Sequence, residues 1–177
     1  MAMTLLLGGA ASGKSRSAAS LAARTGLSVT VIATAEALDD EMAARIARHK
    51  RERPDGWSVI EEPLDLISVV ERARGATVVD CLTLWVSNLL GNDLDTEEIV
   101  ERSAAAAKAC AARPEPTIVI SNEVGSGIVP MNPLARQYRD VLGRVNATFA
   151  DEADVVALMV AGRAVRLSTI STDLEDL

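Results

Sequence analysis

Eight residues near the start of the chain have the types and the spacing of a loop that binds phosphate groups. They read Gly8-Gly9-Ala10-Ala11-Ser12-Gly13-Lys14-Ser15 and fit the pattern G-x-x-x-x-G-K-[ST]. The glycines let the backbone turn its N–H groups towards phosphate oxygens. In this pattern the lysine reaches the β- and γ-phosphates, and the serine hydroxyl binds Mg²⁺. The loop therefore predicts a site for a nucleoside triphosphate and Mg²⁺.

The segments on either side of this loop follow the order that a phosphate loop requires. Leu5 to Leu7 form an apolar run that is typical of a strand buried on both faces of a sheet. The alanine-rich segment after Ser15 predicts a helix that ends near Gly26. A chance match in a glycine-rich turn is the alternative, but it does not explain why strand, loop and helix occur in this order.

Asp80 is a second candidate ligand for Mg²⁺. It is the one acid in Thr77–Leu82, an apolar segment that predicts a buried strand. A carboxylate at the end of such a strand, in a protein with a phosphate loop, commonly holds Mg²⁺ directly or through water. The alternative is that Asp80 caps the helix predicted over Thr83–Leu90. We favour the metal role because an isolated charge in this strand otherwise needs another partner.

His49 is the only histidine in the chain. It lies in a helix that is predicted to begin at Asp39 or Asp40 and to end before Pro54. Met42, Ile46 and His49 form one stripe of that helix, so a packed structural histidine is one interpretation. The other is a nucleophile, because imidazole is reactive near neutral pH.

The same predicted helix concentrates positive charge around His49. Its cationic residues are Arg45, Arg48, Lys50, Arg51 and Arg53. In a chain with a net charge of −7, this local excess suggests an anionic partner. A solvated basic face is the alternative, since exposed charges of this kind are common.

Predicted strands and helices alternate along the whole chain. Further strands are predicted at Val29–Ala33, Trp57–Glu61, Thr117–Ser121, Val155–Ala161 and Ala164–Leu167. This pattern predicts a single α/β domain over residues 1–177, of the P-loop and RecA-like type, with a mainly parallel sheet flanked by helices. Ligands bind beyond the carboxyl ends of such strands, so Thr34 and the loop 122–127 should lie near the phosphate loop. Residues 167–177 are expected to form a frayed tail.

Composition excludes several classes of protein. The negative net charge argues against a surface that binds nucleic acid, and no apolar run is long enough to span a membrane. The start of the chain lacks a basic signal-peptide region, and two cysteines suggest no disulfide framework. We therefore expect a soluble cytoplasmic protein.

Four blocks of sequence resemble one enzyme family. They are GGAASGKSR at Gly8–Arg16, IATAEALDDEMAARIARHKRERPDGW at Ile32–Trp57, VVDCLTLWVSNLL at Val78–Leu90 and SNEVGSGIVPMNPLARQYRDVLGRVN at Ser121–Asn146. Together they are similar to the bifunctional adenosylcobinamide kinase/adenosylcobinamide-phosphate guanylyltransferase family of cobalamin biosynthesis. The second and fourth blocks carry the resemblance, since the phosphate loop alone is generic.

The resemblance implies two reactions. A nucleoside triphosphate, ATP or GTP, phosphorylates adenosylcobinamide, and GTP then donates GMP to that phosphate through a covalent histidine intermediate. The family's histidine falls on His49. The nucleotide contacts that the resemblance implies are the loop from Gly8 to Arg16, Ala33, Thr34, Ala35, Lys50, Arg51, Glu52, Arg53, Glu61 and Asp80. It also implies a homotrimer.

This chain departs from the family pattern at two positions. Arginine is common where this chain has Ala11, and glutamate is common where it has Asp80. Either acid can serve Mg²⁺. Two other functions remain open: a small-molecule kinase without nucleotidyl transfer, and a nucleotide-dependent switch or motor ATPase.

Overall fold

The computed structural model describes residues 3–169, apart from the side chain of Glu52. Residues 170–177 of the predicted tail, and the predicted contact of the Glu52 side chain, lie outside this part. The strands are β1 (Met3–Gly8), β2 (Val29–Ala33), β3 (Ser58–Glu61), β4 (Ala76–Asp80), β5 (Thr117–Ile120), β6 (Val155–Val160) and β7 (Arg163–Leu167). The helices are α1 (Lys14–Ala23), α2 (Asp40–Glu52), α3 (Leu66–Arg72), α4 (Leu82–Gly91), α5 (Thr96–Ala111) and α6 (Pro133–Glu152).

All seven strands form one sheet in the order β3-β2-β4-β5-β1-β6-β7. Every neighbouring pair is parallel except β6 and β7, which form an antiparallel hairpin. The carboxyl ends of β1, β2, β4 and β5 therefore lie along one edge, where the loops that follow them can meet. The predicted α/β fold with a mainly parallel sheet is confirmed.

Helices cover both faces of the sheet, but unequally. Strand β1 shows why, because successive side chains of a strand point to opposite faces. Leu5 and Leu7 belong to a large core that includes residues of α3, α4, α5 and α6. Leu6 belongs to a smaller core on the other face, which α1 covers with Ala18 and Ala22. Burial on both faces accounts for the uninterrupted apolar sequence of this strand.

Side chains bind the backbone at two element boundaries. Asp65 caps helix α3, which begins at Leu66, by accepting a hydrogen bond from Ser68 N at 3.2 Å. Strand β4 ends at Asp80 rather than Leu82, where the Thr34 hydroxyl bonds to the backbone of Cys81, the N-cap of α4. Asp80 is therefore not the cap of the following helix, so the capping alternative is wrong.

None of the helices within residues 3–169 is long and apolar enough to cross a membrane.

The hairpin of β6 and β7 supports the phosphate loop from one side. Gly162, in the turn of the hairpin, donates its backbone N–H to Ser12 O at 2.9 Å. Gly8 has φ 150°, and a Cβ added there would lie 2.5 Å from Met159 O, which belongs to β6. The loop can therefore follow its path only because residue 8 has no side chain.

Replacing Gly8 by alanine should lower the free energy of unfolding by about 2 kcal/mol or more, because the new methyl group meets backbone that cannot move aside. Gly9→Ala is the matched control, since nothing lies within 4 Å of an added Cβ there. Denaturant unfolding of both variants measures the difference. Equal stability of the two variants would contradict this account of the loop.

Candidate active site

A cavity of about 770 Å³ lies between the phosphate loop and α2. Its apolar floor is formed by Val31, Val78 and Ile120, which come from the sheet face that α1 covers. The phosphate loop from Ala10 to Arg16 forms one wall, and α2 contributes Arg45, Arg48 and His49. The fold thus brings the two motifs of the sequence analysis, whose cavity-lining residues are 29 or more positions apart in the chain, to one space.

Lys14 is buried against the phosphate loop. Its ammonium group donates hydrogen bonds to Gly8 O and Gly9 O, both at 2.7 Å, and to Ser12 Oγ at 3.4 Å. Burial is the main reason why the pKa of Lys14 lies below its usual value, and the charge of Arg45 lowers it further, whereas Cys81 and Asp80 raise it. The carbonyl groups of the loop therefore hold this cation in place at the cavity.

The first turn of α1 can bind an anion through its backbone. Its N-cap is Gly13, with φ 97°, and no side chain accepts a hydrogen bond from the helix start. Amide groups at a helix start are otherwise commonly satisfied by a cap, and without one they attract phosphate. Ala11 also has a positive φ of 55°, so the loop turns twice before the helix begins.

His49 lies on the wall of this cavity and not in the hydrophobic core. Its side chain is 29% exposed, and its Nδ1 is 3.9 Å from the carboxylate of Asp80. Arg53 lies at the same distance from the same carboxylate oxygen. The packed-histidine alternative is therefore wrong for this structure. Asp80 faces Nδ1, which leaves Nε2 as the nitrogen available for bond formation.

Ser15 and Asp80 fit Mg²⁺ in the chemistry of their donors. Both line the cavity, and hydroxyl and carboxylate oxygens are ligands that Mg²⁺ prefers. Within residues 3–169 there is no group of three or more histidine, cysteine or acidic side chains that could hold a metal. The protein thus offers two oxygen ligands, as is typical where nucleotide phosphates and water complete the shell.

Thr34 connects the end of β2 to the start of α4. Its buried hydroxyl donates to Cys81 O at 2.7 Å and accepts from Cys81 N at 2.9 Å. Its backbone N–H donates to Asp80 O, and its carbonyl accepts from the Asn88 amide. Thr34 therefore positions Asp80, and its hydroxyl is directed to the backbone instead of the cavity.

A smaller cavity of about 60 Å³ adjoins the first. Ala33, Ala35, Lys50 and Glu61 line it, and it shares His49, Arg53 and Asp80 with the larger cavity. Lys50 forms an ion pair with Glu61, and the hydrogen bond and charge of Lys50 lower the pKa of that carboxyl. The two cavities thus share the wall formed by His49.

The structure gathers most of the predicted site residues but not all of them. Gly8, Gly9, Thr34 and Arg51 are not among the described residues that line either cavity. Trp57, Pro54 and Asn122 line the larger cavity without having been predicted as contacts. The first two follow the basic helix, and Asn122 begins the predicted ligand loop after β5. Their positions in the sequence indicated the region of the site, but the sequence did not indicate that their side chains point into the cavity.

The loop after β5 begins at the cavity with Asn122 and exposes apolar side chains further along the chain. Glu123 accepts a hydrogen bond from Ser126 N at 3.2 Å and another from Gly125 N, which close the first turn of the loop. Beyond it, Ile128 is 98% exposed and Met131 is 95% exposed. A large apolar ligand could cover such side chains.

A phosphate loop between the first strand and helix of a mostly parallel sheet defines a nucleotide-binding α/β domain of the P-loop type. The flagellar accessory protein FlaH from Methanocaldococcus jannaschii aligns with 94% of this chain and 78% of its own, with TM-score 0.52 and 13% identity. The RadB recombinase aligns with 89% of this chain and 73% of its own, with TM-score 0.51 and 16% identity. These structural likenesses confirm the predicted RecA-like fold.

The chain belongs to the CobU family, described as cobinamide kinase / cobinamide phosphate guanyltransferase, whose model matches residues 4–167. The bifunctional adenosylcobalamin biosynthesis protein CobP of Pseudomonas aeruginosa is 44% identical over 161 residues, which are 89% of this chain and 92% of CobP. The corresponding protein CobU of Escherichia coli K12 is 41% identical over 180 residues, which are 93% of this chain and 99% of CobU. The resemblance found in the four sequence blocks is confirmed.

Removing the hydroxyl of Thr34 should destabilise the protein more than removing its methyl group. Thr34→Val leaves the backbone N–H of Cys81 without its partner, and Cys81 O keeps only its hydrogen bond from Trp85 N. This loss should lower the free energy of unfolding by about 2–3 kcal/mol. Thr34→Ser keeps both hydrogen bonds and should cost about 1 kcal/mol for the lost methyl group. Denaturant unfolding measures both values, and the reverse order would show that the hydroxyl does not hold the Asp80–Cys81 segment.

Proposed function

We propose that this protein phosphorylates adenosylcobinamide and then transfers GMP from GTP to the adenosylcobinamide phosphate, with His49 as the covalent carrier. Membership of the family supports both reactions. The observation that supports the carrier is that His49 and the phosphate loop line one cavity, with a ring nitrogen directed away from Asp80.

In the kinase step, the phosphate loop holds the triphosphate of ATP or GTP. A hydroxyl of adenosylcobinamide attacks the γ-phosphorus, the bond to the β–γ bridging oxygen breaks, and the hydroxyl proton passes to solvent. Lys14 and the amides at the start of α1 stabilise the negative charge on the departing diphosphate. This step needs no covalent intermediate on the protein.

In the first half of guanylyl transfer, Nε2 of neutral His49 attacks the α-phosphorus of GTP. An N–P bond forms, the bond to the α–β bridging oxygen breaks, and pyrophosphate leaves with that electron pair. The ring then carries a positive charge, which the carboxylate of Asp80 stabilises from the Nδ1 side. Lys14 and the phosphate loop bind the pyrophosphate.

In the second half, an oxygen of the adenosylcobinamide phosphate attacks the same phosphorus. The N–P bond breaks, its electron pair returns to Nε2, and adenosylcobinamide-GDP forms. Mg²⁺, held by Ser15 and Asp80, would supply Lewis-acid stabilisation of the phosphate charges. The imidazole ends the cycle neutral, as it began.

The two steps use different phosphorus atoms of one triphosphate, so either α2 or the nucleotide must shift between them. The attachment of α2 supports such a shift. None of its described side chains belongs to either hydrophobic core, and residues 34–38 before it have no regular structure. Structures with GTP and with adenosylcobinamide that show the same helix position and nucleotide pose would count against the shift.

Incubation with GTP labelled at the α-phosphorus should label the protein covalently. The label should survive base and be lost in acid, as expected for an N–P bond. His49→Ala should abolish the label but retain the kinase step, because phosphoryl transfer does not use the imidazole. Lys14→Ala should slow both reactions by about 10²–10³-fold, since it removes stabilisation of the leaving phosphates. Radiolabelled protein on an acid-treated and a base-treated gel gives the measurement.

The outcomes separate the three functions. Phosphorylation of adenosylcobinamide without any label would identify a small-molecule kinase in which His49 is structural. Hydrolysis of the nucleotide without either product would identify a switch or motor ATPase. A label of wild-type strength in His49→Ala would place the intermediate on another residue, and near-normal rates in Lys14→Ala would refute the phosphate-loop assignment.

The oligomeric state is a separate part of the proposal. We propose a homotrimer, which the resemblance of the sequence to the family implies. Light scattering coupled to size-exclusion chromatography should give about three times the mass of the 18.7 kDa chain. A monomeric mass over a wide concentration range would contradict it.

A further inference from the structure

Two arginines stand beside His49 on the same face of α2. Arg45 precedes His49 by four positions and Arg48 follows Arg45 by three, which are the spacings that bring side chains together on a helix. Both side chains line the larger cavity, and both residues are exposed. They therefore meet whatever lies next to the imidazole.

No carboxylate of the described residues neutralises these arginines. The ion pairs found within residues 3–169 involve other cations, such as Lys50 with Glu61 and Arg144 with Glu97. Asp80 is the only acid among the described residues that lines the larger cavity, and its carboxylate already faces His49 and Arg53. The unneutralised charge of Arg45 and Arg48 therefore favours an anionic ligand in this part of the cavity.

A second observation places an anion at the same wall. Arg53 Nη1 is buried and has no hydrogen-bond partner among the described residues, although Arg53 lines the cavity. A buried donor of this kind normally has an acceptor. Arg45 and the phosphate loop line the same cavity, and the charge of Arg45 lowers the pKa of Lys14, after the larger effect of burial.

The direction of attack on phosphorus decides which anion this is. Nucleophile and leaving group lie on opposite sides of the phosphorus atom in displacement at phosphate. Pyrophosphate leaves from the side opposite His49, so the acceptor must approach the guanylylated histidine from that same side. This space lies between α2 and the phosphate loop. Arg45 and Arg48 lie on the α2 wall of this space, across from the loop amides and Lys14 that hold the leaving pyrophosphate in the proposed function.

We propose that Arg45 and Arg48 bind the phosphate monoester of the acceptor during guanylyl transfer. This inference rests on the proposed function. It means that Arg45 and Arg48 allow the protein to distinguish adenosylcobinamide phosphate from unphosphorylated adenosylcobinamide. Arginine suits the task because its planar guanidinium can bind two phosphate oxygens at once.

The test measures each half of guanylyl transfer separately. Protein is first labelled with GTP carrying ³²P at the α-position, freed of pyrophosphate, and then mixed with increasing concentrations of adenosylcobinamide phosphate. For Arg45→Gln and Arg48→Gln, the concentration that gives half-maximal loss of label should rise on the order of 10-fold each, and more in the double variant. Labelling by GTP, and the KM for adenosylcobinamide in the kinase step, should change less than about threefold.

Arg102→Gln is the matched control, because Arg102 is an exposed arginine on α5 that lines neither cavity. Unchanged acceptor dependence in the double variant overturns the proposal. A parallel loss of labelling by GTP also overturns it, since the arginines would then bind the donor. The proposal is also overturned if the KM for adenosylcobinamide in the kinase step rises as much as the half-maximal concentration of adenosylcobinamide phosphate. The arginines would then contact the corrinoid and not the phosphate. If wild-type protein takes up no label, the proposed carrier role of His49 fails first.

Discussion

The constraint on which the site depends is an excess of positive charge around one cavity, in a protein whose net charge is −7. Among the described residues, one carboxylate lines this cavity, that of Asp80. The cationic side chains that line it are those of Lys14, Arg16, Arg45, Arg48 and Arg53. Burying so many cations without anions is costly, so most of them stay in contact with solvent. Lys14 is the exception, and backbone carbonyl groups of the loop surround its charge. In the proposed function, the phosphate groups of the nucleotide and of the acceptor would supply the missing negative charge.

One phosphate loop can serve two reactions because both leaving groups are phosphates. The diphosphate of the kinase step and the pyrophosphate of guanylyl transfer need the same amides and the same lysine. Only the nucleophile differs, and the two nucleophiles attack phosphorus atoms at different positions along the triphosphate. In the proposed function, the phosphate loop, which is bonded to the hairpin turn at Gly162, serves both steps, and the helix that carries His49 has no described side chain in either hydrophobic core.

Several features could be predicted from local patterns alone. The apolar run of β1 and the loop after it carry their own signals, because each depends on residues adjacent in the chain. The end of β4 was misjudged by two residues, since Thr34, which is 47 positions from Cys81, binds the backbone there. The sequence positions of Trp57 and Asn122 pointed to the region of the site, but only packing decides which cavity their side chains enter.

The sequence by itself determined the phosphate loop, the alternation of strands and helices, and the family, because each of these is written in the type and spacing of nearby residues. Only the tertiary structure decided that His49 faces Asp80 at the wall of the larger cavity and is not packed in the core. The physical reason is that the helical periodicity of Met42, Ile46 and His49 fixes which side chains share a face, but not what that face meets. That is decided by the sheet order, which places β2 and β4 beside one another and so brings Asp80 to the helix that follows β2.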